Sequence, residues 1–109
     1  MTDLPPVVAA YLDARDARDH AAALAAFAPD ARVVDDGGTY DGTAEIGRWV
    51  ERSSTQFTYT TTRLGHTVDD DGRVVVQVRI DGDFPGGTAT LQQRFALEHG
   101  LIAHLEIAP

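Results

Sequence analysis

Apolar residues recur with a helical period through the first half of the chain and with a period of two through the second. Val8, Tyr11 and Leu12, with Arg15 in step one turn later, predict a first helix whose apolar face carries a phenol. Pro5 and Pro6 are tolerated in its opening turn, where backbone N–H groups lack intrahelical partners, and Thr2 or Asp3 can cap it. Asp13, Arg15, Asp16, Arg18 and Asp19 form a mixed-charge run, with Arg15 and Asp19 at i,i+4, that reads as a solvated helix face. A short second helix is expected after Asp19 as its cap, burying Leu24 and Phe27 and stopped by Pro29. Ala31 to Asp36 then reads as a short strand broken by Gly37-Gly38. Thr43 is the expected cap of a third helix, with Glu45 favoured by the dipole at its start and Ile46, Trp49 and Val50 as the buried stripe.

From Phe57 onward the alternation is that of strands. Phe57 to Val68, Arg73 to Phe84, Thr88 to Glu98 and Leu101 to Ile107 are separated by turn signals at Asp69 to Gly72, Pro85-Gly86-Gly87 and His99-Gly100. Three helices leading into this meander predict an α+β fold, with the helices packed on one curved antiparallel sheet. Side chains two apart share a face. Val76, Val78 and Ile80, then Leu91 and Phe95, then Leu105 are therefore expected to join Trp49 around a pocket for a small apolar molecule. Gln93 interrupts that apolar stripe. An amide buried without partners costs on the order of 1–3 kcal/mol, so Gln93 is either a satisfied core glutamine or a donor lining the pocket.

Composition narrows the chemistry. One domain spanning residues 1–109 suits the length, and 43% hydrophobic with 24% charged residues is ordinary for a globular protein. No apolar run approaches the roughly 20 residues of a membrane-spanning helix, and the first residues lack the order of a signal peptide, so a cytoplasmic location is the default expectation. A net charge of −8 argues against a nucleic-acid partner. With no cysteine, thiolate catalysis and Cys-ligated zinc are excluded. Asp69-Asp70-Asp71-Gly72 lacks the downstream glutamate of a calcium loop, and His20, His66, His99 and His104 have no metal-ligand spacing, so neither metal nor cofactor is expected.

The order of elements, together with Val7-Val8-Ala9-Ala10-Tyr11, the run from Phe27 to Asp35 and Gly42-Thr43-Ala44-Glu45-Ile46, resembles the nuclear transport factor 2 superfamily and its SnoaL-like branch. The resemblance implies a cone of three helices on a curved sheet, open at one end. The first half is most similar to ketosteroid isomerase, whose motif positions for an oxyanion-holding tyrosine and a catalytic aspartate fall on Tyr11 and Asp35. In that enzyme family an Asp base moves the proton while a Tyr and a neutral carboxylic acid hold the enolate oxygen. Here the position of that acid falls on Gln93, whose amide is a weaker donor. The resemblance thus implies a cofactor-free isomerase or polyketide cyclase moving a proton beside a carbonyl, or else a binding module of the same fold. Asp35 can also be a turn-capping carboxylate, and Asp36 competes with it if the strand register slips by one. Limonene epoxide hydrolase offers a third likeness through Arg79-Ile80-Asp81, with Glu106 as a loose third carboxylate. A homodimer through the outer sheet face is implied by the family, with Val75 and Ile102 as its apolar surface.

Overall fold

In the computed structural model, residues 4–109 are described; Thr2 and Asp3, the expected caps, lie outside them. Two helices, α1 (Pro6–Asp16) and α2 (His20–Ala25), lead into a hairpin of β1 (Phe27–Asp35) and β2 (Gly38–Asp41). α3 (Gly42–Thr55) follows, then β3 (Tyr59–Val68), β4 (Val74–Gly82), β5 (Thr88–Glu98) and β6 (Leu101–Ala108). The strands form one six-stranded sheet in the order β2-β1-β6-β5-β4-β3. The fold is α+β, with the helices on one side of a curved sheet that does not close on itself. All neighbours are antiparallel except β1 and β6, which run parallel because the chain returns to β1 only after the whole meander.

The first strand differs most from the sequence reading. It begins at Phe27, not Ala31, and tolerates Pro29 because pairing to β6 is interrupted between Phe27 and Arg32. Asp36 and Gly37, with φ of 49° and 77°, form a two-residue turn of the type I′ kind, so the chain does not break off at the glycine pair and Gly38 starts a second strand. Asp19 caps α2 by accepting from the Ala22 N–H at 3.1 Å. α3 starts one residue before Thr43, and Glu45 Oε1 reaches back to the Asp41 N–H at 2.8 Å.

The core fills the space between the helices and the inner sheet face, from Val8 and Leu12 of α1 and Ile46 and Val50 of α3 to Val33, Val76, Val78, Phe95 and Leu105. On β6 the pairs Ala96–His104 and Leu97–Ile102 leave Ala103 as an extra residue. That bulge reverses the alternation, so Ile102 turns into the core at 0% exposure and is not on the outer face. Val75, also expected there, is only 8% exposed. Among the described residues no helix is long and apolar enough to cross a membrane.

Candidate functional site

A cavity of about 860 Å³ opens between α1, α3, the end of β1 and the inner faces of β4 to β6. Helical spacing builds one wall. Tyr11 and Arg15 are one turn apart on α1, and Trp49 and Ser53 are one turn apart on α3. Ile80, Leu91 and Ile107 supply apolar wall from the sheet, and Phe57 and Phe84 stand at the mouth with ring centroids 6.1 Å apart. The two rings are brought together by a clamp between their neighbours, where the Thr58 N–H donates to Asp83 Oδ1 at 2.8 Å and the Asp83 N–H to the Thr58 carbonyl at 3.0 Å.

Asp35 sits on the inward side of β1, in phase with buried Ala31 and Val33. Trp49 Nε1 donates to its Oδ2 at 3.0 Å, and Oδ1 has no hydrogen-bond partner among the described residues. Asp36 is exposed in the turn and only borders the cavity. The register of β1 with β6, Asp35 beside Ile107, is what turns Asp35 inward and leaves Asp36 outside.

Tyr11 is 2% exposed, its ring edge-on to Phe27 and Phe95 at 5.3 and 5.8 Å. Its oxygen accepts from Arg15 Nη1 at 3.4 Å, so its own proton remains to be donated. Burial pushes the Tyr11 phenol up to about 12 against the pull of the Arg15 charge. The phenol is therefore a neutral donor throughout the ordinary pH range. Above pH 10 an unfolded chain releases this proton and the native protein retains it, so the stabilising contribution is complete below pH 10 and is lost as pH rises towards 12. Denaturation midpoints of wild type and Tyr11→Phe should converge over that window by an amount worth roughly 2–3 kcal/mol. A constant offset between the two proteins from pH 9 to 12 is the contrary result.

Arg15 is a cavity-lining residue that reading its run as solvated does not anticipate. It donates to Ser53 Oγ at 2.7 Å and lies 4.8 Å from the Trp49 ring centroid. Its place four residues after Tyr11, on the apolar face, was the available signal. Tyr59, on the same rim, donates to the Ser53 carbonyl at 3.2 Å.

Gln93 lines the cavity, yet its Oε1 is buried with no donor in reach. Gln93→Leu removes an unpaired acceptor and should raise the stability of the ligand-free protein by about 1 kcal/mol, read as a higher urea midpoint at unchanged slope. A lowered midpoint would mean that the amide is paired in solution.

Of the other expected pocket residues, Trp49, Ile80 and Leu91 reach the cavity wall. Val76, Val78, Phe95 and Leu105 lie in the closed core, since the cavity occupies only the open end of the layer between helices and sheet. Arg79 and Asp81 pair with each other at 3.0 Å on the opposite face from Ile80, and Glu106 pairs with Arg94 at 3.1 Å, so the epoxide-hydrolase-like set does not assemble. Among the described residues no three His, Asp or Glu side chains gather as metal ligands.

The family model for the SnoaL-like domain matches residues 8–105. The chain is a SnoaL-like domain. A candidate polyketide cyclase from Sinorhizobium meliloti is 39% identical to this SnoaL-like domain, with a TM-score of 0.91, over 97% of this chain and 96% of that one. Lower identities show the shared fold alone. A Catenulispora acidiphila protein with a ketosteroid isomerase-like fold, in complex with trimethylamine, has 19% identity and a TM-score of 0.83 over 98% of this chain and 87% of that one. A Mycobacterium tuberculosis protein in complex with estradiol-17beta-hemisuccinate has 15% identity and a TM-score of 0.78 over 94% and 90% of the two chains. No curated protein matches the sequence.

Proposed function

We propose that this SnoaL-like domain is a cofactor-free isomerase or cyclase that moves a proton beside the carbonyl of an apolar, steroid- or polyketide-like compound. The observation that carries the reading is Asp35, a carboxylate held by the Trp49 indole on the wall of a largely apolar cavity that Tyr11 also lines. Asp35 Oδ1 takes a proton from the carbon next to the carbonyl, and the C–H electron pair moves onto the carbonyl oxygen as an enolate. Tyr11 donates to that oxygen, its own oxygen polarised by Arg15, and Gln93 contributes a neutral amide. The proton then returns to another carbon in an isomerisation. In a cyclisation the enolate carbon instead forms a bond to a second carbonyl carbon, whose oxygen takes up the proton.

The likeness to the Sinorhizobium protein supports cyclase chemistry, and steroid-sized ligands in proteins of this fold support an apolar substrate of that size. A second reading, a binding module, rests on the same Asp35–Trp49 bond, which also suits a carboxylate that merely orients the indole. Incubation with tetralones and steroid enones in D2O separates the two. An enzyme accelerates deuterium entry next to the carbonyl; a binding module protects or ignores it. A homodimer belongs to this proposal as a family expectation, without the outer apolar surface that Ile102 was expected to supply.

A further inference from the structure

An arginine on the cavity wall and a second beside it lack the acidic partner that several others have. The chain carries 17 acidic against nine basic side chains, so carboxylates are not in short supply. Arg32 pairs with Asp41, Arg63 with Asp13 and Asp16, Arg79 with Asp81, and Arg94 with Asp69 and Glu106. Arg15 lines the cavity and has no acidic partner among the described residues. It donates to two neutral oxygens, those of Tyr11 and Ser53, and its Cζ lies over the Trp49 ring. A guanidinium presents five N–H groups in a fixed fork, and the neighbours that meet it, Tyr11, Ser53 and the Tyr59 hydroxyl, are all neutral. A part-buried cation without a counter-charge is costly unless an anion joins it.

A smaller hollow of about 320 Å³ adjoins the cavity and shares Arg15 with it. Arg18 stands at its rim, donating to the carbonyl oxygens of Ser54 and Tyr59 and lying 5.7 Å from the Tyr59 ring, again with no acidic partner among the described residues. Asp16, the one carboxylate that lines the hollow, shares Arg63 with Asp13 and stands against two arginines there. The hollow is thus cationic within a protein of net charge −8.

We propose that Arg15, with Arg18 at the rim, binds a carboxylate borne by the substrate, so that the compound this site takes is an apolar keto acid. The placement suits the chemistry, since the indole that holds Asp35 by its N–H also carries Arg15 on its ring face. One group then anchors the acid end while the neighbouring group meets the carbon to be deprotonated. The inference rests on the reading of the cavity as a substrate site.

Aryl keto acids of increasing chain length and their methyl esters, matched in shape and differing in charge, test it. Binding is followed by the fluorescence of Trp49, the single tryptophan of the chain. For the best-fitting chain length the acid should bind at least about tenfold more tightly than its ester, the signature of a charge-assisted contact. Arg15→Met, which retains the apolar stem, should remove that preference by lowering acid affinity far more than ester affinity; Arg15→Lys should keep part of it. The inference is overturned if no acid outbinds its ester on the wild-type protein, or if the preference persists in Arg15→Met. Equal losses for acid and ester in both variants also overturn it, since Arg15 then serves only Tyr11 and Trp49. Should Arg15→Met not fold, the wild-type comparison and Arg15→Lys decide. Deuterium incorporation is measured on the same acids: an acid preference without incorporation sinks the proton-transfer reading and leaves the anion site standing.

Discussion

Asp35→Asn should slow deuterium entry next to a bound carbonyl by roughly 10²–10⁴-fold, the usual share of a positioned general base. Ligand affinity should change little, because the amide matches the carboxylate in shape and its oxygen can still accept from Trp49 Nε1, now 3.0 Å from Asp35 Oδ2. Preserving that bond keeps the wall of the cavity in place and confines the loss to proton removal. The result that counts against the assignment is exchange within tenfold of wild type. Exchange that is absent from the wild-type protein for every ketone tried would instead favour the binding module. Asp36→Asn is the matched control. That residue is exposed in the β1–β2 turn with φ of 49°, a conformation asparagine accepts, so the variant should be nearly silent in both stability and exchange.

The second large effect is expected at Trp49, the residue that ties the site to the core. It is 2% exposed, packs on Tyr40 with ring centroids 6.2 Å apart, holds Asp35 and supports Arg15. Trp49→Ala should cost about 3–5 kcal/mol, a loss comparable with the whole stability of many domains of this size. Urea denaturation should place its midpoint far below that of wild type. Trp49→Phe separates packing from positioning. The ring is retained, so the destabilisation should be much smaller, but Asp35 loses its N–H partner and is free to turn. Exchange should then fall by on the order of 10²-fold, the scale at which a displacement of about 1 Å is felt. Full activity in a stable Trp49→Phe protein would show that the indole N–H does not position the base.

Tyr11 was legible as part of an apolar helix face because it is in helical step with Val8 and Leu12. Asp35 was singled out by the resemblance to ketosteroid isomerase, since a strand-end aspartate before a glycine pair reads equally well as a turn cap. Arg15 shows the limit of such patterns. Charge runs on helices are solvated in most proteins, and only the tertiary placement of α3 brings Ser53 and the Trp49 ring within reach of this guanidinium. The second strand was equally hidden. Its four residues are too few to display alternation, although the Asp36-Gly37 turn that creates it is a strong local signal.

By itself the sequence determined the class of fold, the three helices, the long strands and the single amide on an apolar stripe. Each of these follows from periodicity or turn chemistry acting over a few residues. Tertiary structure alone decided which apolar residues close into the core and which are left around a cavity. It also decided that the Ala103 bulge turns Ile102 inward and that one arginine in an acidic chain stands on the cavity wall without an acid. Those outcomes depend on register and on the approach of elements distant in sequence, and no local pattern encodes either.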